Sequence, residues 1–344
     1  MAQQLLNTLY VQTEGSFIRL DHETVIVEQE QKKILQVPLH HLGGIVAIGR
    51  VTTSSPLLAR CAAESRSVVH LDASGRFLYR IEGKRSGNVL LRVAQQQARQ
   101  QPERVLPLVQ AMIAGKLYNS RQMLLRCARD AEDEAKRSPL RECAEEIRKD
   151  LKRLQAVTEL NELRGVEGNN AKRYFAQFAN RIKQPGDTFV YNGRTRRPPR
   201  DPVNALLSFL YTLLLHDCIG ALEGVGLDPQ IGYLHTLRPG RPALALDLME
   251  EMRPILADRL ALTLINRGQL QASDFEEMPG GAVFLNKSGR QTVILAYQKR
   301  KQDVVTHAVL SEKMPLGLVI HLQARLLARA IRKDHLEYQP FLYK

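Results

Sequence analysis

The stretch IEGKRSGN, Ile81 to Asn88, separates two textures of sequence. It is polar and carries two glycines, Gly83 and Gly87. Upstream of it, short β-rich runs alternate with turns. From Val89 onward the hydrophobic period becomes helical. Side chains repeat every two residues on a strand and about every 3.6 on a helix, so the change of period marks a change of architecture.

The upstream part reads as a small β-rich unit. Ser16 to Leu20 and Thr24 to Glu28 are strand-like, with Val25 and Val27 on one face of the second run and Thr24, Ile26 and Glu28 on the other. Gln29 to Lys32 is a polar turn, after which Lys33 to Val37 can pair back. GIVAIG (Gly44 to Gly49), SVVHL (Ser67 to Leu71) and Arg76 to Ile81 complete the strands, with Asp72 to Gly75 as a turn. SPLLARCAAESR, Ser55 to Arg66, reads as a helix with Ser54 or Ser55 as N-cap.

Downstream, Ala111 to Cys127 and Ala131 to Val157 are long amphipathic runs dense in Glu, Arg and Lys. A loop with three prolines and four arginines follows, KQPGDTFVYNGRTRRPPRD, Lys183 to Asp201. Asp201 is then an N-cap and Pro202 a first helical residue, ahead of a leucine stripe at 206, 207, 210, 213 and 214. GLVIHLQARLLARAIR, Gly317 to Arg332, is a late helix. The expectation is an α+β chain of two domains, β-rich over residues 1–85 and all-α over 86–344.

The 344 residues carry a formal charge of +13, a surplus that favours polyanions such as nucleic acid. The N-terminus lacks a signal-peptide pattern, and no stretch reaches the roughly 18 apolar residues that a membrane span needs. Cys61, Cys127, Cys143 and Cys218 are far apart, forming neither a disulfide framework nor a zinc pattern. A cytoplasmic protein with mostly buried free thiols is expected.

There is no Gly-rich phosphate loop, dinucleotide fingerprint, zinc-protease helix or serine-hydrolase elbow. Three other stretches hold candidate chemistry. LRGVEGNNAKRYF, Leu163 to Phe175, sets Glu167 between Gly165 and Gly168 at the expected start of a helix. IGYLHTLRPGR, Ile231 to Arg241, holds His235. LALDLMEEMRP, Leu244 to Pro254, holds Asp247, Glu250 and Glu251. On a helix Asp247 and Glu250 are i,i+3 and share a face, where they repel unless a cation lies between them. Pro254 should kink or end that helix, because its ring clashes with the carbonyl of Glu250, so it shapes the turn presenting Glu250.

Each residue has a plainer reading. Asp247 and Glu250 can be surface acids paired with Arg253 or Arg241, His235 a hydrogen-bonded structural histidine, and Glu167 an early-helix partner of the helix dipole. Together, carboxylates and an imidazole without cysteine suit Mg²⁺ or Mn²⁺. Arg164, Lys172, Arg173, Arg238 and Arg241 lie in the same stretches, Arg194, Arg196 and Arg197 in the Pro-rich loop, and Lys299, Arg300 and Lys301 in QKRKQD. Acids in so basic a setting are what metal-assisted phosphodiester chemistry needs.

LRGVEGNNAKRYF, DPVNALLSFLYTLL, IGYLHTLRPGRPALALDLMEEMRP, AYQKRK and the final EYQPFLYK together resemble the CRISPR-associated DNA integrase family of spacer acquisition, most closely its subtype I-C members. The resemblance spans essentially the whole chain. It implies a β-rich N-terminal domain that mediates dimerisation and a helical domain with the metal site. It implies Glu167, His235 and Glu250 as catalytic metal ligands for Mg²⁺ or Mn²⁺, with Asp247 as a supporting acid. Asn170 departs from the small residue expected after EGN. Asn204, Ser208 and Tyr211 match a further family motif, although packing and helix hydrogen bonding explain Ser208 as well.

The activity implied is insertion of short double-stranded DNA into a CRISPR array. A 3′-hydroxyl attacks a phosphodiester directly, so no covalent enzyme intermediate is needed. The partners implied are DNA, a second copy of the chain and a small ferredoxin-like CRISPR-associated adaptation protein. A general nuclease for branched DNA and a non-catalytic nucleic-acid scaffold are the alternatives.

Overall fold

The computed structural model describes residues 7–64, 66–73, 77–83, 88–184, 186–195, 197–333 and 337–343. The turn residues 74–76, the boundary residues 84–87 and Arg196 lie outside these. By proximity of backbone the chain forms two compact units, residues 1–87 with 285–298 and residues 88–284 with 299–344. The first break falls at the quoted boundary. The return of 285–298 to the first unit has no counterpart in the sequence reading.

The first unit contains two four-stranded sheets. One is built from β1 (Asn7–Val11), β5 (Leu42–Ile48), β7 (Ser67–Leu71) and β8 (Phe77–Ile81), in that order. The other is built from β2 (Phe17–Asp21), β3 (Thr24–Gln29), β4 (Lys32–Pro38) and the short β6 (Thr52–Thr53), in the order β4-β3-β2-β6. β2, β3 and β4 form an antiparallel meander, with Val25 opposite Val37 and Val27 opposite Leu35. β5 and β7 run parallel, and helix α1 (Ser55–Ala63) lies in the crossover between them. Parallel neighbours cannot be joined by a hairpin, and the helix also covers the sheet. Ile18, Val25, Val27, Ile45, Leu57, Cys61 and Val68 meet in one buried core. Ile26 is buried too, so both faces of β3 are covered.

The second unit is mostly helical: α2 (Val89–Arg99), α3 (Pro102–Arg129), α4 (Glu134–Arg153), α5 (Leu160–Ala176), α6 (Pro202–Val225), α7 (Ala243–Met249) and α8 (Arg259–Asn266). The hairpin of β9 (Phe275–Met278) and β10 (Ala282–Leu285) leads to α9 (Lys287–Lys301), through which the chain passes between units. The hairpin of β11 (Val304–His307) and β12 (Glu312–Pro315) precedes α10 (Leu316–Arg332). The region expected to be all-α therefore also holds two hairpins. Their strands are four residues each, too short for a period-two pattern to stand out.

Helix α6 is long and apolar enough by composition to cross a membrane, contrary to the expectation from the sequence. In the fold it is a core helix, with Leu206, Leu207, Leu210, Leu213 and Leu214 all buried. Asp201 caps it as expected: its carboxylate accepts the backbone N–H of Asn204 at 2.8 Å and that residue's side-chain amide at 2.6 Å. Asp201→Ala is expected to lower the stability of this unit by about 1 kcal/mol in urea unfolding, the usual worth of such a cap. An unchanged transition midpoint would show that the cap contributes nothing.

Candidate active site

Helix α5 begins at Leu160, seven residues before Glu167, and runs through both glycines to Ala176. Glu167 is thus a mid-helix residue, which removes the helix-dipole reading: that field fades beyond the first turn. Nor do Gly165 and Gly168 mark a helix start. A methyl group placed on either would have nothing within 4 Å, so they leave open space beside the carboxylate.

The opposite wall is α7 and the turn that follows it. The helix ends at Met249, and Arg253–Asp258 is a π-helical turn before α8. This agrees with the break expected at Pro254, and π turns are frequent at functional sites. It leaves Glu250 and Glu251 at the bend, both about 1% exposed.

Asp247, fully buried, lies between α7 and the loop carrying His235. Its Oδ2 accepts the backbone N–H groups of Tyr233 at 2.6 Å and Leu234 at 3.0 Å. Its Oδ1 accepts the backbone N–H of His235 at 2.9 Å and the imidazole Nδ1–H at 2.6 Å. Four donors on one carboxylate fix the loop and the ring together, and the Nδ1–H bond directs Nε2 outward as the basic nitrogen. That Nε2 is 3.6 Å from Glu250 Oε1. Gly232 sits so close to α7 that a methyl group there would come within 2.6 Å of the Ala243 backbone. Arg164 closes the third side, its Nε donating to the Leu234 carbonyl at 2.8 Å from one turn before Glu167.

Glu167 and Glu250 meet on Lys116, a residue absent from the sequence reading. The Lys116 ammonium contacts Glu167 Oε1 and lies 2.6 Å from Glu250 Oε2. Arg253 adds a second cation 3.3 Å from Glu250 Oε1 and stacks over Tyr211. Burial alone would raise the Glu250 pKa. Arg253, Lys116 and His235 more than offset it and hold the carboxyl down at about 2. Lys116 had a legible signal: Val109, Met112, Ile113, Leu117 and Ser120 form the buried stripe of α3, and Lys116 falls on that stripe.

Among the described residues, no three His, Cys, Asp or Glu side chains close on one point. Lys116 stands between the two glutamates instead. The donor set still fits a hard divalent cation. Two carboxylates converge on a single positive charge with an imidazole beside them, and the buried Glu250 Oε2 has no directed hydrogen bond.

The basic residues expected to touch DNA divide into two groups. Arg197 and Arg238 are exposed and Arg241 is half-exposed. Burial, then Arg238, with Arg197 and Arg253 adding to it, pulls the Arg241 guanidinium below its usual range, the signature of a crowded positive surface beside Asp247. Lys299 is also exposed. The second group makes contacts within the chain. Arg194 donates to Asn204 Oδ1 at 2.7 Å and to Ser208 at 3.2 Å. Arg300 pairs with Asp303 and donates to the Ile255 carbonyl at 3.1 Å, and buried Lys301 pairs with Asp217 at 2.9 Å. Arg164 ties α5 to the His235 loop, and Arg173 pairs with Asp150 at 2.8 Å. Asn170, the departure noted above, is buried and donates to the same Asp150 at 2.8 Å. Asn204 and Tyr211 are likewise structural, the latter donating to Asp258 at 2.6 Å.

Asp247→Asn tests the orienting role. An amide nitrogen would face donors where a carboxylate oxygen now accepts them. We expect a 10–100-fold loss of Mn²⁺ affinity in calorimetry with the helical content retained, the usual scale for a partner that orients a ligand. Unchanged affinity would separate Asp247 from the ligand set.

A family model described as CRISPR associated protein Cas1 matches residues 9–299. The CRISPR-associated endonuclease Cas1 1 of Moorella thermoacetica is 54% identical over 340 residues, covering 99% of both chains. The CRISPR-associated endonuclease Cas1 2 of Rhodospirillum rubrum is 48% identical over 346 residues, covering 99% of this chain and 100% of that one. Among solved structures, a chain of a Cas6-RT-Cas1–Cas2 complex superposes with a TM-score of 0.82 at 25% identity, over 98% of this chain and 36% of that one. The chain belongs to the Cas1 family of CRISPR-associated proteins.

Proposed function

We propose that this chain is a divalent-cation-dependent DNA integrase and endonuclease that inserts short double-stranded DNA into a CRISPR array. The observation that carries the reading is the meeting of Glu167 and Glu250 on one cationic group, with His235 alongside. Glu250 and Lys116 are buried, so this convergence is not surface salt bridging, which contributes little. The naming of the relatives as endonucleases supports the same reading.

Glu167, Glu250 and the Nε2 of His235 would hold Mg²⁺ or Mn²⁺. When bound, the cation supplies charge stabilisation at the phosphorus-bound oxygens and favours ionisation of the attacking hydroxyl. The rest falls to the chain. Asp247 keeps the His235 ring in its tautomer and orientation. Arg253 balances Glu250 from the protein side. The open face at Gly165 and Gly168 admits a DNA backbone to Glu167. Arg197, Arg238 and Arg241 hold flanking phosphates. The nucleophile is a DNA 3′-hydroxyl: its oxygen bonds to phosphorus as the array's own 3′-oxygen leaves and takes up the proton, so one phosphodiester replaces another.

We further read the protein as a subtype I-C member, cytoplasmic, acting as a homodimer with a small ferredoxin-like adaptation protein. The superposition on a chain from a Cas1–Cas2 complex supports such a partner.

Glu167→Ala is expected to abolish strand transfer and cleavage with Mn²⁺ present while DNA affinity stays within a few fold. Strand transfer on branched DNA, run beside simple cleavage, tests this, and undiminished transfer would overturn the assignment. Cleavage without transfer would favour a branched-DNA nuclease, and binding with neither would favour a scaffold. Replacing Arg197, Arg238 and Arg241 by alanine should reduce the slope of log affinity against log salt by about 0.9 for each phosphate that is no longer neutralised. An unaltered slope would mean that this arginine face does not meet DNA.

A further inference from the structure

Lys116 is only 8% exposed and lies on the core stripe of α3. A lysine there pays for its burial only by strong pairing, and its ammonium contacts both Glu167 and Glu250. We propose that Lys116 is an internal counter-ion: it holds the two glutamates together when no divalent cation is present, and a divalent cation must displace it to bind. This rests on the reading of Glu167 and Glu250 as ligands and extends it to a residue outside the ligand set.

Three observations carry the inference. First, Glu250 is 1% exposed, and a carboxylate so buried needs a positive partner in every state of the protein, since an uncompensated buried charge costs several kcal/mol. Second, the pairing of Lys116 with Glu250 rests on charge rather than on direction: the oxygen 2.6 Å from the ammonium receives no aligned hydrogen bond. Exchange for another cation therefore breaks one directed bond, from Lys116 to Glu167, and no aligned bond to Glu250. Third, the backbone of α3 is fixed where Lys116 leaves it. One turn on, the buried Asn119 donates to the carbonyls of Glu251 and Phe341, each at 2.8 Å. At the preceding Gly115, a methyl group would come within 2.7 Å of Pro340. Displacement therefore falls to the flexible four-carbon stem of the lysine. Arg253, stacked over Tyr211, stays as the permanent balancing charge. With both cations in place the two carboxylates are already neutralised, so an added divalent ion competes for them.

Calorimetric titration of the full chain with MnCl₂ compares wild type, Lys116→Met and Glu167→Gln. Wild type should bind, Glu167→Gln should lose binding, and Lys116→Met should bind at least tenfold more tightly. Acetylation of wild-type Lys116, followed by mass spectrometry with and without MnCl₂, gives a measure that does not depend on the variant folding. Its labelling should rise several-fold when Mn²⁺ is added. Absence of wild-type binding, or binding that survives Glu167→Gln, would overturn the ligand reading itself. Binding lost in Glu167→Gln but unchanged or weaker in folded Lys116→Met, or labelling that does not rise with Mn²⁺, would overturn the counter-ion.

Discussion

The carboxylate of Asp247 accepts three backbone N–H groups and one imidazole N–H, all from residues 233–235. The remaining geometry of the site depends on that cluster. It joins a loop, which has no lattice of hydrogen bonds of its own, to a helix that has one. A charged acceptor with several backbone donors is among the stronger arrangements available in a protein interior. Through it the position of His235 becomes a property of α7, the element that also delivers Glu250. Arg164 then links the same loop to α5, and so to Glu167. The three stretches are held as one object by contacts that leave free the atoms proposed to hold a cation, the imidazole being gripped at Nδ1 with Nε2 toward Glu250.

Much of the fold is legible in the sequence because its signals are local. The alternation in β2, β3 and β4, the Asp-Pro start of α6 and its leucine stripe each lie within a single element. What escapes is set by tertiary contact. Glycine is a poor helix former, so the two glycines of α5 suggest a boundary. Packing carries the helix through both, as tertiary context commonly does. Residues 285–298 join the first unit although they follow residues 88–284 of the second, a pairing that no local pattern encodes.

In the site, the acids are more legible than the cations: Arg253 is named only as a surface partner, and Lys116 leaves no more than a charge on the apolar stripe of α3. Glu167, His235, Asp247 and Glu250 stand in short motifs with unusual neighbours. Lys116 and Arg253 matter because of what folds against them. The arginines show the limit from the other side. Arg194, Arg196 and Arg197 look alike in the Pro-rich loop, yet Arg194 turns inward to Asn204 while Arg197 faces solvent. Charge count predicts a basic surface, but only the fold decides which charges reach it.

The pair Glu250-Glu251 carries this furthest. The two residues are identical, adjacent and equally buried, yet they titrate in opposite directions. Glu250 is held down at about 2, its burial outweighed by Arg253, Lys116 and His235. Glu251 faces the other way, where the Tyr338 hydroxyl, the Phe341 N–H at 2.5 Å and the Gln323 amide donate to it. There burial dominates those donors and raises the carboxyl to about 7. A regular helix could not send consecutive side chains to opposed walls so sharply, because neighbours are only about 100° apart around its axis. The break after Met249 and the π-helical turn at Pro254 allow it. One acid is left ionised toward the site, and the other anchors residues 338–341 against the back of α3, the helix that presents Lys116. The bend thus places Glu250 in the site and Glu251 in the packing behind it, and the turn that contains Pro254 is the backbone device that separates them.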